Sequence, residues 1–360
     1  MVSQNKCICF FLPSLNIGGV ENVFITYANE LARRGYDVKF VLCVRVGDLL
    51  PLVSDDVIIE DLGNIKLRSS LWKLRNYVKR LCPDIIVTGG DYPNMICVLA
   101  MRFLKKKPKI ILSKHNYQNV ETKELGWWTK FELGMQKFLY PKSDGIIAVS
   151  KGISSYLQDE LNIDERKILQ ICNPLDVKDI EIKSQERINI VLPKKYIVFV
   201  GRLGKVKNFP LLLEAYKRLK DKDIHLVIVG EGPERRYIEQ YVEGENLKRS
   251  IHLTGSMSNP MPIIKQSSAL VLCSTSEAYP TILLETMAMQ VPIVSTPTKG
   301  AIEILGNTEG TFISSSFDNA DEFSKLVSDA VEFNAPIQSS LVETNAKDKI
   351  VNRFIESVGL

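Results

Sequence analysis

A chain of 360 residues with 45% hydrophobic side chains, 24% charged ones and a formal net charge of +4 has an ordinary globular composition and enough length for two cores. No apolar run reaches the roughly 20 residues of a membrane-spanning helix, so any membrane attachment is expected to be peripheral. The seven cysteines are odd in number, scattered and without a second Cys/His pair at metal spacing, and read as reduced thiols of a cytoplasmic protein.

In chain order, the opening run Ile8–Leu12 is too short for a signal-peptide core and is stopped by Pro13. Cys7 and Cys9, two apart, share a face if this run is a strand. Further strands are predicted at Val38–Cys43, Ile85–Thr88, Ile110–Ser113, Gly145–Val149 and Ile168–Ile171, with helical periodicity over Glu21–Arg33, Leu71–Leu81 and Trp127–Leu139. A second series follows: strands at Tyr196–Val200, Ile224–Val229, Ile251–Thr254, Ala269–Cys273 and Ile293–Ser295, with helices near Pro210–Leu219, Pro233–Val242 and Pro280–Met289. The polar stretch Asp176–Pro193 reads as the linker, and 321–360 as mostly helical with a break at Ala335-Pro336. Strand–helix alternation occurring twice implies two α/β, doubly wound parallel-sheet domains. Ligands in such sheets bind beyond the carboxyl ends of the strands, so two facing sheets are expected to share one cleft.

The loops at those strand ends carry the chemistry. Gly18-Gly19-Val20-Glu21 follows the first strand and opens a helix whose N-terminus favours anions; alone, this reads as a tight structural turn. It is not a G-x-G-x-x-G dinucleotide fingerprint. His115 is the one histidine of three at a carboxyl edge of the first sheet, whereas His225 and His252 alternate with apolar residues inside strands and read as structural. In Gly201-Arg202-Leu203-Gly204-Lys205-Val206-Lys207, Arg202 ends a strand and Lys207 opens a helix; a guanidinium fork with an ammonium suits a diphosphate, both side chains facing solvent. Lys205 reads as solvated. Gly230-Glu231-Gly232-Pro233 is a second glycine turn, and Thr254-Gly255-Ser256-Met257 a third, where a nucleobase or nothing could meet the backbone.

The stretch Ser274 to Met287 is the most informative. A buried strand, Ala269–Cys273, leads through a tight loop holding Glu277 into a helix holding Glu285, with Pro280 suited to the first turn. Two carboxylates at different depths enclose the free amides of a loop and helix start, a site suited to phosphate.

Charge is uneven: residues 1–172 hold a basic excess and the remainder a slight acidic one. The basic runs Lys73–Arg80 and Arg102–Lys109, with Trp127-Trp128 and Lys130, lie in the first half. Such runs are ordinarily solvated faces; Lys105-Lys106-Lys107 beside exposed tryptophans equally fits anionic lipid headgroups.

Taken together, Gly18-Gly19-Val20-Glu21, His115, Gly201-Arg202-Leu203 with Lys207, Gly230-Glu231-Gly232-Pro233-Glu234 and Glu277 through Glu285 resemble, in order and over nearly the whole chain, the family-4 retaining glycosyltransferases of the GT-B fold. The resemblance implies two Rossmann-like domains, 1–175 on the acceptor side and 176–334 binding nucleotide sugar, and a helical segment 335–360 crossing back to the first. It implies donor contacts from Gly19, Arg202, Lys207, Gly232, Met257, Glu277, Ala278, Tyr279, Pro280, Thr281 and Glu285. Within that set Arg202 and Lys207 would hold the diphosphate, Glu285 the ribose hydroxyls and Glu277 the transferred sugar. Catalytic roles are implied for Glu277, His115, Arg202 and Lys207, with His115 bonding the sugar or orienting the acceptor. No metal and no cofactor is expected: charge on the leaving group is met by the basic pair and a helix terminus.

The implied reaction moves a hexose or N-acetylhexosamine from a UDP-linked or other nucleotide sugar to a saccharide acceptor, lipid-linked in polysaccharide or lipopolysaccharide assembly. The partners expected are that donor, that acceptor and an anionic membrane surface on the cytoplasmic side, with no nucleic acid. One departure stands out: Ala278 occupies a position that is commonly glycine in the family. A sugar-nucleotide epimerase and a non-catalytic nucleotide-sugar-binding protein are the alternative readings. Sugar, linkage, acceptor and oligomeric state are not written in the sequence.

Overall fold

Apolar runs such as Cys7–Leu12 have no polar face to offer water and must be covered on both sides, which a parallel sheet between helix layers does. The computed structural model describes residues 6–63, 66–102, 104–117, 127–306 and 308–360. It divides the chain into two units, Met1–Pro174 with Lys347–Leu360, and Leu175–Ala346. Phe103, inside the basic run 102–109, lies outside the described residues.

Unit 1 runs β1 (Cys7–Leu12), α1 (Gly19–Arg33), β2 (Asp37–Leu42), β3 (Ile58–Asp61), α2 (Ser70–Leu81), β4 (Ile85–Gly89), α3 (Asp91–Met101), β5 (Lys109–Lys114), α4 (Trp127–Leu139), β6 (Gly145–Ala148), α5 (Lys151–Asp159) and β7 (Ile168–Gln170). Its strands are parallel in the order β3-β2-β1-β4-β5-β6-β7, with Ile8 beside both Val38 and Ile85. Unit 2 runs α6 (Val177–Ser184), β8 (Tyr196–Val200), α7 (Phe209–Lys217), β9 (His225–Val229), α8 (Arg235–Gly244), β10 (Ile251–Gly255), α9 (Met261–Lys265), β11 (Ala269–Leu272), α10 (Thr281–Ala288), β12 (Ile293–Ser295), α11 (Lys299–Leu305), β13 (Thr311–Ile313), α12 (Ala320–Glu332) and α13 (Ser340–Thr344). Its sheet is also parallel, in the order β10-β9-β8-β11-β12-β13. Each core is aliphatic and aromatic: Phe10, Phe24 and Phe40 are buried in unit 1, and Phe199, Phe209 and Phe323 in unit 2.

The final helix, α14 (Lys347–Val358), belongs to unit 1. It lies along α1, where Tyr27 and Phe354 rings stand 5.0 Å apart and the Lys109 ammonium donates to the Val358 carbonyl at 2.9 Å. A buried carboxylate, Glu30, anchors this corner, accepting from Arg33 Nε at 2.9 Å and Arg34 Nε at 2.7 Å. Arg34 in turn bonds Asn352 of α14. Unit 2 begins and ends at one place: Leu175 and Ala346 form a parallel bridge, and the Leu175 amide donates to the Asn345 carbonyl at 2.8 Å.

Several features differ from the sequence reading. The stretch expected to be a plain linker, Asp176–Pro193, contains α6, whose start is capped by the Asp176 carboxylate receiving the Asp179 amide at 3.2 Å. Pro280 is the N-cap of α10 rather than a first-turn residue. β3, β13, α3, α5, α9 and α11 are additional elements. β3 is a short edge strand with its ends exposed, and α3 is apolar on nearly every face, so neither shows a clean period.

Candidate active site

In a doubly wound sheet a crevice opens where neighbouring strands send their crossovers to opposite sides. In unit 2 that place lies between β8 and β11, since β9 lies on one side and β12 on the other. The loops leaving these two strands are the ones that hold Arg202 and Lys207, and Glu277.

The loops are joined by main-chain and side-chain bonds. The Thr275 amide donates to the Val206 carbonyl at 2.8 Å, and Lys207 Nζ donates to Glu277 Oε1 at 2.5 Å. Ser274 Oγ donates to the same carboxylate oxygen at 2.6 Å, and Ser274 is held in turn by the Thr296 hydroxyl, which donates to its carbonyl at 2.5 Å. Lys207 and Glu277 are mostly covered, with 19% and 16% of their side chains exposed. Lys207 therefore does not simply face solvent, as the sequence reading had it. Its ammonium is a charge-assisted donor already aimed at Glu277, a stronger contact than an open surface pair. Arg202 is exposed, and its side chain has no hydrogen-bond or ion-pair partner among the described residues, leaving its fork available to an anion.

Gly232 belongs to the neighbouring turn, bonded to the Arg202 loop through Leu203, whose amide donates to Glu231 at 2.8 Å and whose carbonyl receives the Glu234 amide at 2.9 Å. A β-carbon on Gly232 would collide with the Leu203 carbonyl, so glycine is required there by close approach. Met257 is half-buried in the loop after β10.

Beyond Glu277 the chain is tightly held. Ala278 and Tyr279 are buried, and the Tyr279 hydroxyl accepts from Asn345 Nδ2 at 2.5 Å. Ala278 is not among the non-glycine residues with positive φ, so alanine in this position carries no backbone strain. Pro280 caps α10, Thr281 is its first residue and Glu285 its fifth. Glu285 is half-buried facing Lys183 and Asp179 of α6. Burial pushes its carboxyl up to about 7, offset in part by the Lys183 ammonium and reinforced by Asp179. At neutral pH it sits between its acid and its ionised form.

Sequence reasoning missed four contributors: Ser274, Thr296, Asn345 and Gly300. The Gly300 amide donates to the Glu277 carbonyl at 3.0 Å, and a β-carbon there would stand 2.7 Å from the Ala278 carbonyl oxygen. The serine directly after an apolar strand and the glycine after Thr298 were visible signals; a pairing 66 residues distant, as for Asn345, was not.

Unit 1 places its two candidates near its own switch point, between β1 and β4. Gly19 is exposed at the start of α1 with open space where a side chain would stand. His115 follows β5, bonded through Nε2 to Ser113 Oγ at 2.8 Å, with its ring 6.3 Å from that of Phe24 on α1. Burial and the neighbouring Lys114 ammonium hold His115 down to about 4, so it is a neutral imidazole at physiological pH, able to donate or accept but not to act as a cation. Beneath it Lys114 is buried and bonded to Asp91 Oδ1 at 2.5 Å, which also receives the Tyr140 hydroxyl at 3.0 Å. His225 and His252 bond each other at 2.9 Å, consistent with structural roles.

Comparisons with known proteins cover both units. The family described as Glycosyltransferase Family 4 matches residues 17–179, and that described as Glycosyl transferases group 1 matches residues 181–348. The chain is 32% identical over 320 residues to the N-acetylgalactosamine-N,N'-diacetylbacillosaminyl-diphospho-undecaprenol 4-alpha-N-acetylgalactosaminyltransferase of Campylobacter jejuni, covering 83% of each protein. It is 25% identical to a second Campylobacter jejuni enzyme, the GalNAc-alpha-(1->4)-GalNAc-alpha-(1->3)-diNAcBac-PP-undecaprenol alpha-1,4-N-acetyl-D-galactosaminyltransferase, covering 80% of this chain and 78% of that one. Among solved structures, Anabaena HepE in complex with UDP and glucose has the same fold, with a TM-score of 0.78 at 16% identity over 98% of this chain and 99% of that one.

Proposed function

The chain belongs to glycosyltransferase family 4, and from that premise we propose that it moves a hexose or N-acetylhexosamine, with retention, from a UDP-linked donor to a lipid-linked saccharide. It is a glycosyltransferase built of two Rossmann-like parallel-sheet units, the GT-B class. The observation that carries the reading is the bond between Lys207 and Glu277 at the β8/β11 switch point, with the Arg202 guanidinium exposed beside it. A nucleoside diphosphate leaving group gathers charge as the sugar departs, and fixed cations stabilise that charge without reorganising. Arg202 and Lys207 supply those cations, and Glu277, tied to Lys207 and Ser274, is presented to the sugar. Glu285 accepts from ribose hydroxyls, with Gly19, Gly232, Met257 and the loop Ala278–Thr281 completing the donor contacts. The neutral His115 bonds sugar or acceptor.

The donor is supported by the UDP held in a protein of the same fold, and the acceptor by the undecaprenol-diphospho saccharides named for the two relatives. The same reading places the enzyme peripherally on the inner face of a membrane of anionic lipid. Among the described residues no helix is long and apolar enough to cross a membrane. The reaction uses no metal, because the basic pair meets the diphosphate charge.

The test is a screen of radiolabelled nucleotide sugars with a membrane lipid extract. Label passing into the lipid fraction from a UDP-sugar, undiminished by excess chelator, is the expected result. Formation of an epimer, or binding with no transfer, would overturn the reaction assignment; activity lost to chelator and restored by magnesium or manganese would overturn metal independence.

A further inference from the structure

The exterior of unit 1 carries an aromatic face that its own core does not use. On α4, Trp127, Trp128, Phe131 and Phe138 are 65%, 61%, 55% and 52% exposed, while Gln136 and Leu139 of the same helix are buried. At 3.6 residues per turn, Trp127, Phe131 and Phe138 fall within about 40° of one another, and Gln136 falls on the opposite side. The helix thus buries Gln136 and Leu139 and turns its large aromatic side chains outward. The aromatics form one surface: the indoles of Trp127 and Trp128 stack at 3.7 Å, and Trp128 meets Phe131 edge-on at 6.3 Å.

Cations are set into the same surface. Lys130 and Lys137 flank the stripe on one side of the helix and are exposed. Lys142 Nζ lies 3.2 Å from the Phe138 ring centroid, and the Arg102 guanidinium 5.9 Å from it. Arg102 continues into the exposed Lys105, Lys106 and Lys107. Phe138, on the helix that carries the tryptophan pair, thus meets Arg102 at the start of the basic run.

We infer that this face of α4, with Arg102 and Lys142, is the element that seats the enzyme on an anionic lipid surface. The inference deepens, and rests on, the membrane-surface part of the function proposed above. Aromatic rings belong at the headgroup level of a bilayer, lysines reach from there to lipid phosphates, and a helix with aromatics on one face and lysines beside them lies in that interface. A protein partner fits less well, because lysine is depleted from the centres of protein interfaces. A second copy of the chain would set like charges against each other.

The experiment uses the full chain carrying Trp72→Phe, which leaves Trp127 and Trp128 as the fluorophores of a three-tryptophan protein. It is mixed with phosphatidylglycerol vesicles or phosphatidylcholine vesicles. Sedimentation with phosphatidylglycerol alone, a blue-shifted emission and quenching by brominated acyl chains are expected. Changing Lys130, Lys137 and Lys142 to Gln should weaken that binding roughly a hundredfold, at about fivefold for each charge removed. Phe131→Ser alone should weaken it while UDP affinity, read by calorimetry, stays unchanged. Equal binding to both vesicle types, no quenching by brominated chains, full binding by the lysine variant, or self-association through this face without vesicles would each overturn the inference. Vesicle binding in a protein that binds no UDP would leave the docking face standing and remove the donor assignment instead.

Discussion

Asn345, two residues before the chain leaves unit 2, donates a 2.5 Å hydrogen bond to the hydroxyl of Tyr279, two residues after Glu277. Both residues are buried, so removing either one costs the other a hydrogen bond made away from water. Tyr279→Phe should destabilise the protein by about 1–3 kcal/mol, and Asn345→Ala by a similar amount. The two changes together should cost less than their sum. Thermal unfolding of the two single variants and the double variant measures the coupling; strict additivity would show that the bond contributes nothing.

Arg202 and Lys207 should separate by their surroundings. Arg202 is exposed and bonded to no side chain among the described residues, so Arg202→Ala should leave the melting temperature unchanged and slow transfer by about 100- to 1000-fold, as for loss of a preorganised charge donor. Lys207→Ala should slow transfer and also lower stability, because among the described residues the Glu277 carboxylate then keeps Ser274 alone as a partner. Kinetics and melting curves on both variants decide; near-normal turnover in Arg202→Ala would remove the phosphate-grip assignment.

The two glutamates should differ in kinetics and in pH response. In the proposed reaction Glu277 contacts the transferred sugar, so Glu277→Gln should chiefly lower kcat; Glu285 is assigned the ribose, held alike in ground and transition states, so Glu285→Gln should chiefly raise the donor KM. Only the ionised Glu285 accepts from both hydroxyls, and its carboxyl titrates at about 7. Donor affinity should therefore rise by up to roughly tenfold from pH 6 to pH 8, and this rise should be absent in Glu285→Gln. In the free protein the same group binds more protons folded than unfolded, so its contribution to stability falls as pH rises from 4.5 to about 7. Calorimetry across this pH range tests both signs, and a flat affinity profile in the unmodified protein would sink the ribose role.

Glu30 should behave oppositely. Its bonds to Arg33 and then Arg34 outweigh the cost of burial and hold its carboxyl at about 2 rather than 4.5. That stabilisation is complete above pH 4.5 and is lost as pH falls towards 2. With Arg33 largely exposed and screened, it contributes on the order of 2 kcal/mol at neutral pH. Glu30→Gln should lower the melting temperature at pH 7 and narrow the gap from the unmodified protein near pH 2.5. A constant gap across that range would exclude a charge effect.

The strand–helix alternation was readable because parallel strands in a doubly wound sheet are almost wholly apolar: the strands Tyr196–Val200 and Ile293–Ser295 were found with their observed bounds, as was the helix Trp127–Leu139. Elements lacking contrast were not readable, among them the three-residue strand β13 and α3, which is apolar on nearly every face after its first turn. The placement of Arg202, Lys207 and Glu277 in loops beyond strand ends, and of Glu285 in the helix that follows, was legible. What holds them was not. The closure of Lys207 onto Glu277 depends on two loops from strands adjacent in the sheet but about 70 residues apart in the chain. Gly300 is needed because a helix start approaches the Ala278 backbone, a closeness no local pattern encodes.

The bridge between Leu175 and Ala346 gives unit 2 a single doorway. Topologically, residues 175–346 are a cassette spliced into another protein, entering and leaving at one point. A cassette of this kind can be exchanged as a block with only two seams to match, both at the same place. In the proposed function most of the donor contacts lie in the loops of that block, so exchanging it should change donor choice while His115 and the α4 face stay as they are.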